Sequence, residues 1–205
     1  MQPRWTELEQ KALAVIGAYH RPVRTHELLG KGVHPRTLYR LRDAGALRQL
    51  QRGLYVPADT ADPTEHHDLV KVASRSEKAV VCLLSALSFH GLTTQAPREV
   101  WIAIPGRAWR PRSENPPVRV FTFSVPSYGA GVETHDLEGV PVRVYSPAKT
   151  VADCFKFRSK VGKDVAIEAL RETWRQRRAT MDELWRFAQV CRVANVIRPY
   201  LESLT

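Results

Sequence analysis

The sequence has no long apolar run and few cysteines. No segment approaches the roughly 18 consecutive apolar residues that cross a bilayer, and the start, MQPRWTELEQ, lacks the apolar core of a signal peptide. Cys82, Cys154 and Cys191 are far apart, odd in number and in apolar surroundings, which fits neither a disulfide framework nor a CxxC metal site. We therefore expect a cytoplasmic protein with buried free thiols and no membrane partner.

The patterns of common enzyme sites are also missing. Gly129-Ala130-Gly131 lacks the downstream Lys-Ser/Thr and the helix that a phosphate-binding loop needs. The sequence has no paired carboxylates on a strand that would hold magnesium for phosphoryl transfer or nuclease chemistry. We accordingly predict no catalytic residue, no metal site and no cofactor.

Two short groups of residues resemble parts of enzyme sites. Ser85 or Ser88 with His90 would suit a nucleophile and its base, but there is no GxSxG elbow and no orienting acid, so packing of a helix explains them better. In His66-His67-Asp68 the adjacent histidines point in different directions on a helix, so the i, i+4 metal spacing is absent. We interpret both groups as structural.

Lys149 and Asp153 are four residues apart on one predicted helical face. This spacing favours a simple surface salt bridge. The same polar groups would also suit a partner contact or the attachment of the helix to a sheet, and the sequence leaves these alternatives open.

Basic residues outnumber acidic ones, 31 to 21, which gives a net charge of +10. Up to Thr60 there are 10 Lys/Arg and 5 Asp/Glu, so the charge density is higher in this first part of the chain. Such a balance favours a polyanionic partner, most often nucleic acid.

The stretch from Val33 to Pro57 predicts a basic helix followed by a tight ribbon. His34 stands at the N-cap, Pro35 at the first helical position and Gly45 just after the end, as helix boundaries require. Short β-type runs then flank a turn at Gln51-Arg52-Gly53. A helix and hairpin of this kind are what a winged helix-turn-helix presents to double-stranded DNA.

Seven residues of this stretch are the predicted DNA-binding residues. Those on the helix would face the major groove, with Arg40 the best candidate for a bidentate contact to guanine, while Arg42 would meet phosphate or an internal carboxylate. Those on the ribbon would contact phosphates or the minor groove. The seven residues are Arg36, Thr37, Tyr39, Arg40, Arg42, Arg48 and Arg52.

The preceding residues complete a winged unit, and the following ones predict a second domain. Helices are expected over Trp5–Tyr19 and Thr25–Leu29, and the polar linker Pro57–Pro63 marks the boundary between domains 1–60 and 61–205. In the second domain, β-type runs at Glu99–Ile104, Val118–Phe123 and Val140–Tyr145 precede several helical segments. The predicted fold class is α+β: an N-terminal winged helix-turn-helix and a small C-terminal sheet with packed helices.

A second anionic surface is a further hypothesis for the C-terminal part. Arginines interleaved with an aromatic residue suit contact with nucleic acid, although basic loops are usually only solvated. The residues are Arg107, Trp109, Arg110 and Arg112 in a proline-rich loop, and Arg171, Arg175, Arg177 and Arg178 at the end of a predicted helix.

Several of these motifs, in this order, resemble those of the AbiEi family of antitoxins. The first are PRTLYRL from Pro35, GAL from Gly45 and RGLYVP from Arg52; the later ones are LSALSFHGLT from Leu84, VWIAIP from Val100 and YSPAKTVADC from Tyr145. The resemblance extends from about Trp5 to about Leu170. It implies a repressor of its own operon that binds promoter inverted repeats and counteracts a co-encoded nucleotidyltransferase-like toxin, without forming a stable complex with it.

Two other classes of function stay open on the sequence. A winged domain also serves to target a nuclease or nucleotidyltransferase to DNA, and in other proteins it binds a protein partner. Because one winged unit buries little surface, specific DNA binding further predicts two copies on an inverted repeat, as a dimer formed beforehand or on DNA.

Overall fold

The computed structural model describes residues 5–19, 22–58, 64–106, 108 and 115–204. Two compact units contain these residues. The first runs up to His67 and includes Asp136–Val140, and the second comprises Asp68–His135 and the chain from Pro141 onward. Most of the predicted linker falls on residues 59–63, which lie outside the described residues, as do Arg107, Trp109, Arg110 and Arg112 of the proline-rich loop.

Three helices and a three-stranded sheet form the first unit. Its elements are α1 (Glu7–Gly17), β1 (Val23–Arg24), α2 (Thr25–Gly30), α3 (Pro35–Asp43), β2 (Leu47–Gln51) and β3 (Leu54–Pro57). The strand order is β1-β3-β2, with both pairs antiparallel, so β2 and β3 form the wing. This is the winged helix-turn-helix that the sequence predicts.

One apolar cluster holds the first unit together. Each helix contributes one face, because Ala12 and Ile16 on α1, Leu28 on α2, and Leu38 and Leu41 on α3 are all buried. Val23 and Tyr55 add the sheet side of the same cluster. Burial of this kind stabilises by about 25 cal/mol per Å² of apolar surface, so the shared core fixes α3 against α1 and the wing.

The second unit contains a mixed five-stranded sheet and most of the helices. Its elements are α4 (His67–Arg75), β4 (Val80–Val81), α5 (Leu83–Phe89), β5 (Val100–Pro105), β6 (Val118–Phe123), α6 (Val125–Gly129), β7 (Val132–Leu137), β8 (Val140–Tyr145), α7 (Pro147–Lys156), α8 (Arg158–Val161), α9 (Lys163–Arg175), α10 (Met181–Val190) and α11 (Ala194–Glu202). The ends of α4 and β7 extend into the first unit. The predicted α+β class is confirmed.

The sheet has the order β6-β5-β4-β8-β7, in which β4 is antiparallel to β5 and parallel to β8, and β5 is parallel to β6. The sequence predicts only three of these strands. It misses β4, which has only two residues, and β7, whose residues are half-buried or exposed and show no apolar alternation. A strand that buries neither face leaves no period-two pattern to detect.

Helix α7 is the centre of the second unit. Ser146 caps it, with its hydroxyl accepting from the Lys149 amide, and every residue from Pro147 to Phe155 is buried. It packs against α5, α9, α10 and α11. Lys149 and Asp153 both lie on this helix and are completely buried, which corrects the expected surface salt bridge.

Candidate nucleic-acid interface

Helix α3 begins and ends where the sequence predicts. The Nδ1 atom of His34 accepts from the Arg36 amide at 3.2 Å, and Pro35 occupies the first helical position. At the other end Gly45 has φ +75°, and the amides of Gly45 and Ala46 donate to the carbonyls of Arg42 and Leu41. These bonds satisfy carbonyls that a helix end otherwise leaves unpaired, and glycine adopts this left-handed conformation without steric cost.

The exposed face of α3 carries three of the predicted residues. Leu38 and Leu41 point into the core, and Arg36, Tyr39 and Arg40 lie on the opposite side and are exposed. Tyr39 is 49% exposed, which is unusual for a residue of its size. Thr37 is half-buried at the flank of the helix. The helix therefore presents two guanidinium groups and a phenol to solvent.

Arg40 is tied to α1 by an ion pair. Its Nη2 atom lies 2.9 Å from Oε1 of Glu9, whose side chain is only 5% exposed. The other oxygen of Glu9 accepts from the amide and the hydroxyl of Thr6, both at 2.7 Å. These bonds from Thr6 are the main reason that the pKa of Glu9 is lowered. One buried carboxylate thus caps α1 and holds an arginine of α3.

Arg42 joins α3 to the wing. Its Nη1 atom donates to Oε1 of Gln49 on β2 at 3.2 Å, and its Nε and Nη2 atoms bind Oδ1 of Asp43 at 2.8 and 2.7 Å. The same guanidinium lies 5.2 Å from the centre of the Tyr39 ring. Hydrogen bonding to Asp43 raises the pKa of Arg42. Of the two expected partners, phosphate and an internal carboxylate, the structure shows the carboxylate.

The wing carries the other two predicted arginines. Arg52 is exposed in the turn between β2 and β3, and Arg48 on β2 is half-buried. Gly53 follows with φ +76°, and its carbonyl accepts from the amide and the hydroxyl of Thr25, at 2.8 and 3.2 Å. These bonds attach the turn to the start of α2 and set the position of Arg52.

A cleft of about 440 Å³ lies between α3 and the wing. Three of the seven predicted residues line it, namely Tyr39, Arg42 and Arg52. The remaining lining residues are Thr25, Gln49, Gly53 and Tyr55, and burial raises the pKa of the Tyr55 phenol. Arg36, Thr37, Arg40 and Arg48 do not line it.

Three contributing residues are missing from the sequence-based prediction. Glu9 was identifiable only as the partner of Thr6 in a capping box, and nothing in the sequence signals its contact with Arg40, 31 positions away. Gln49 and Tyr55 face the cleft from adjacent strands, where they are directly paired. Strand pairing would have placed them together, but their function as lining residues depends on the position of α3.

Three residues of the groups that resembled enzyme sites make contacts within the fold. The Ser85 hydroxyl accepts from the Trp101 amide at 2.9 Å, and His90 is buried with Nε2 donating to the Tyr145 carbonyl at 2.8 Å. Nδ1 of His67 lies 2.8 Å from Oε2 of Glu138. Within the described ranges, no three His, Cys, Asp or Glu side chains are arranged to hold a metal ion. No helix there is both long and apolar enough to cross a membrane.

The winged unit with this helix face is the part of the chain that matches a known family. Residues 10–58 match the family model of the AbiEi antitoxin, described as a transcriptional regulator. The AbiEi resemblance is thus confirmed from within α1 to the end of β3, a segment that contains every predicted DNA-binding residue. The later AbiEi-like motifs lie beyond the matched segment, and there the resemblance stays a prediction. The match supports a regulatory antitoxin role and points away from catalysis.

The whole chain also resembles a solved structure. The crystal structure of the RV2827C protein from Mycobacterium tuberculosis covers 98% of this chain and 79% of its own, with a TM-score of 0.64 and 14% sequence identity. At this identity the likeness shows the fold alone. No curated protein matches the chain.

Proposed function

We propose that this chain is a sequence-specific DNA-binding repressor that regulates its own operon and acts as the antitoxin to a co-encoded nucleotidyltransferase-like toxin. The single observation that carries the proposal is the exposed α3 face of Arg36, Tyr39 and Arg40 on a winged unit that matches AbiEi regulators. A protein that binds promoters acts where the chromosome is, which places it in the cytoplasm. The family match supports a regulatory antitoxin role, and the toxin and the repression are proposed on that support and not on any side chain.

In the proposed complex the roles of the seven residues differ. Arg36, Tyr39 and Arg40, with Thr37 at their flank, approach base edges in the major groove, where an arginine recognises guanine by two hydrogen bonds. Arg48 and Arg52 on the wing approach phosphates or the minor groove and add salt-dependent affinity. Arg42 holds the wing to α3 through Gln49, so it positions the others.

Two winged units would bind one operator. A single unit of residues 1–60 offers too little surface for the affinities typical of specific protein–DNA complexes. We therefore propose that two copies occupy the half-sites of an inverted repeat, while residues 61–205, apart from the segments that belong to the first unit, form a separate antitoxin domain.

The test measures binding to the DNA upstream of the gene, against a scrambled duplex, by fluorescence anisotropy at two salt concentrations. The variant of choice is Arg36→Ala, because the Arg36 side chain is exposed and its removal leaves the cap of α3 intact. The matched control is Lys11→Ala on α1, which removes one exposed cation from the same unit.

We expect Arg36→Ala to lower affinity for the upstream DNA by about tenfold, as loss of a good base contact does, while weak binding to the scrambled duplex persists. Lys11→Ala should lower binding to both duplexes alike, by no more than about twofold. Equal binding of both duplexes by the unmodified protein would contradict the proposed function as a sequence-specific repressor. Metal-dependent cleavage of the duplex would favour the targeted nuclease instead.

A further inference from the structure

A second cleft, of about 660 Å³, lies in the second unit where α9 passes into α10. Arg175, Arg177 and Arg178 line it, and they belong to a segment of eight residues, Arg171 to Arg178, that has four arginines and one acid. Helix α9 ends at Arg175, so the last two of these arginines lie in the turn and not at the end of a helix as predicted. Both are exposed.

The apolar part of this cleft includes an indole ring. Trp174, Ala179 and Met181 line it, and Trp174 is half-buried against the core of the unit. Other tryptophans carry an arginine on the ring: Arg119 lies 4.5 Å from the Trp101 ring centre, and Arg198 lies 5.3 Å from that of Trp185. Among the described residues, none stacks on Trp174. The part of Trp174 that lines the cleft is therefore not covered by a stacked side chain of the described residues.

Acidic groups near the cleft are already bound by other residues. Glu172 forms two hydrogen bonds with Nε of Arg175, which leaves Arg177 and Arg178 as the cations for a ligand. Oε2 of Glu183 accepts from the amide and hydroxyl of Thr180, at 2.8 and 3.0 Å, as part of the capping box of α10. The N-terminus of α10 is thus closed by its own side chains, and recognition of an anion falls to the arginines.

Arg177 occupies a position that usually belongs to glycine. It has φ +54°, its amide donates to the Trp174 carbonyl, and the Arg178 amide donates to the Thr173 carbonyl. This is the pattern with which helices end on a left-handed residue, and glycine adopts that conformation with least strain. Arg192 ends α10 in the same conformation, with φ +60°, so the backbone alone does not set Arg177 apart; what does is that Arg177 lines the cleft and Arg192 does not.

We propose that this cleft binds a nucleoside phosphate, with the base on Trp174 and the phosphate held by Arg177 and Arg178. Bases stack on aromatic side chains, and guanidinium groups bind phosphate oxygens with paired hydrogen bonds. The volume suits a ligand of this size. The same chemistry is offered by a free nucleotide and by an unpaired nucleotide within a single strand. The proposal needs no contact of the first unit with duplex DNA and stands apart from the proposed repressor function.

The experiment titrates the full chain with ATP, GTP, inorganic phosphate, adenosine and a short single-stranded oligonucleotide, using calorimetry. The main variant is Arg177→Gly, which removes the guanidinium and relieves the left-handed backbone, so folding should be kept or improved. The matched control is Arg192→Gly. Arg192 has φ +60° at the same position after α10, is exposed and does not line the cleft.

We expect a nucleotide to bind, and Arg177→Gly to weaken it by about tenfold, the usual effect of losing one charge-assisted hydrogen-bonding group. Trp174→Leu should weaken it by a similar factor, and Arg192→Gly should leave it unchanged. If ATP or GTP binds, the natural ligand of the cleft is a free nucleotide. If only the oligonucleotide binds, the ligand is an unpaired nucleotide within a single strand. Inorganic phosphate binding as tightly as ATP, equal effects of the two glycine variants, or no binding of any probe would overturn the proposal.

Discussion

The guanidinium of Arg40 on α3 binds the buried carboxylate of Glu9 on α1, with Nη2 and Oε1 2.9 Å apart. Because the second oxygen of Glu9 accepts from Thr6, the group that caps α1 also fixes an arginine of the exposed α3 face. An arginine whose guanidinium group is already held by an ion pair loses less conformational freedom on binding than an arginine whose side chain is unrestrained. Glu9 thereby links the fold of the first unit to the geometry of its proposed DNA-binding surface.

Replacing Glu9 by alanine should destabilise the first unit more than Arg40→Ala does. Glu9→Ala removes the partner of both Thr6 donors and of Arg40, whereas Arg40→Ala leaves the bonds from Thr6 intact. Thermal unfolding followed by circular dichroism measures the difference. Glu7→Ala is the control, because Glu7 lies in the same helical turn with its side chain 84% exposed. A loss of stability in Glu7→Ala as large as in Glu9→Ala would contradict the assigned role.

The same carboxylate should make the first unit sensitive to acid. The amide and hydroxyl of Thr6 hold the pKa of Glu9 below its ordinary value of 4.5. A carboxyl with a lowered folded-state pKa stabilises the protein fully above its unfolded-state pKa, and this contribution is lost as the pH falls through the lower value. Unfolding temperatures measured from pH 6 downward, about the range in which carboxyls titrate, should therefore decline less steeply for Glu9→Gln than for the unmodified chain. Parallel curves for the two proteins would refute this contribution.

Local signals in the sequence predict α3 well. Pro35 and Gly45 mark its ends, Leu38 and Leu41 mark its buried side, and each of these features acts within a few residues of the chain. The winged unit follows from such signals because its helices and hairpin are consecutive. Contacts between distant elements, such as that of Glu9 with Arg40, carry no comparable local signal.

The burial of Lys149 and Asp153 was not predictable for a related reason. Their spacing correctly indicates that the two side chains meet, but it is the same for an exposed pair. Burial depends on what packs over α7, including Tyr145 and Phe123 from the sheet and Cys191 at the end of α10. These three residues come from β6, β8 and the end of α10, which are far apart along the chain, so no local pattern signals the packing.

Arg42 should act on DNA binding by positioning the wing and not by contacting phosphate. Its hydrogen bonds go to Asp43 and Gln49. In the anisotropy assay at several salt concentrations, we expect Arg42→Ala to lower affinity with the slope of log K against log salt unchanged. Arg52→Ala should reduce that slope by about 0.9, the value for one lost phosphate contact. Gln49→Ala should weaken binding in the same way as Arg42→Ala, by about threefold to tenfold, as loss of one hydrogen bond does. A reduced slope in Arg42→Ala would instead make it a phosphate ligand.

Breaking the buried pair on α7 should be among the most damaging changes to the second unit. Nζ of Lys149 lies 2.5 Å from Oδ2 of Asp153 and 4.2 Å from the centre of the Tyr145 ring, and the Cys191 thiol donates to Oδ1 of Asp153 at 3.1 Å. Burial raises the pKa of Asp153 in spite of the adjacent Lys149, because removal from water disfavours the charged carboxylate.

Asp153→Ala should therefore cost about 3–5 kcal/mol, because it leaves a buried ammonium group without a counter-charge. The double variant Lys149→Met with Asp153→Leu should cost markedly less, since it removes both charges and retains apolar volume. Asp68→Ala tests an exposed pair in the same unit, with Lys71, and should change stability by no more than about 1 kcal/mol. Chemical denaturation of the three variants gives the free energies of unfolding. If the double variant were as unstable as Asp153→Ala, the loss of stability would come from lost packing around α7 and not from the unpaired buried charge of Lys149.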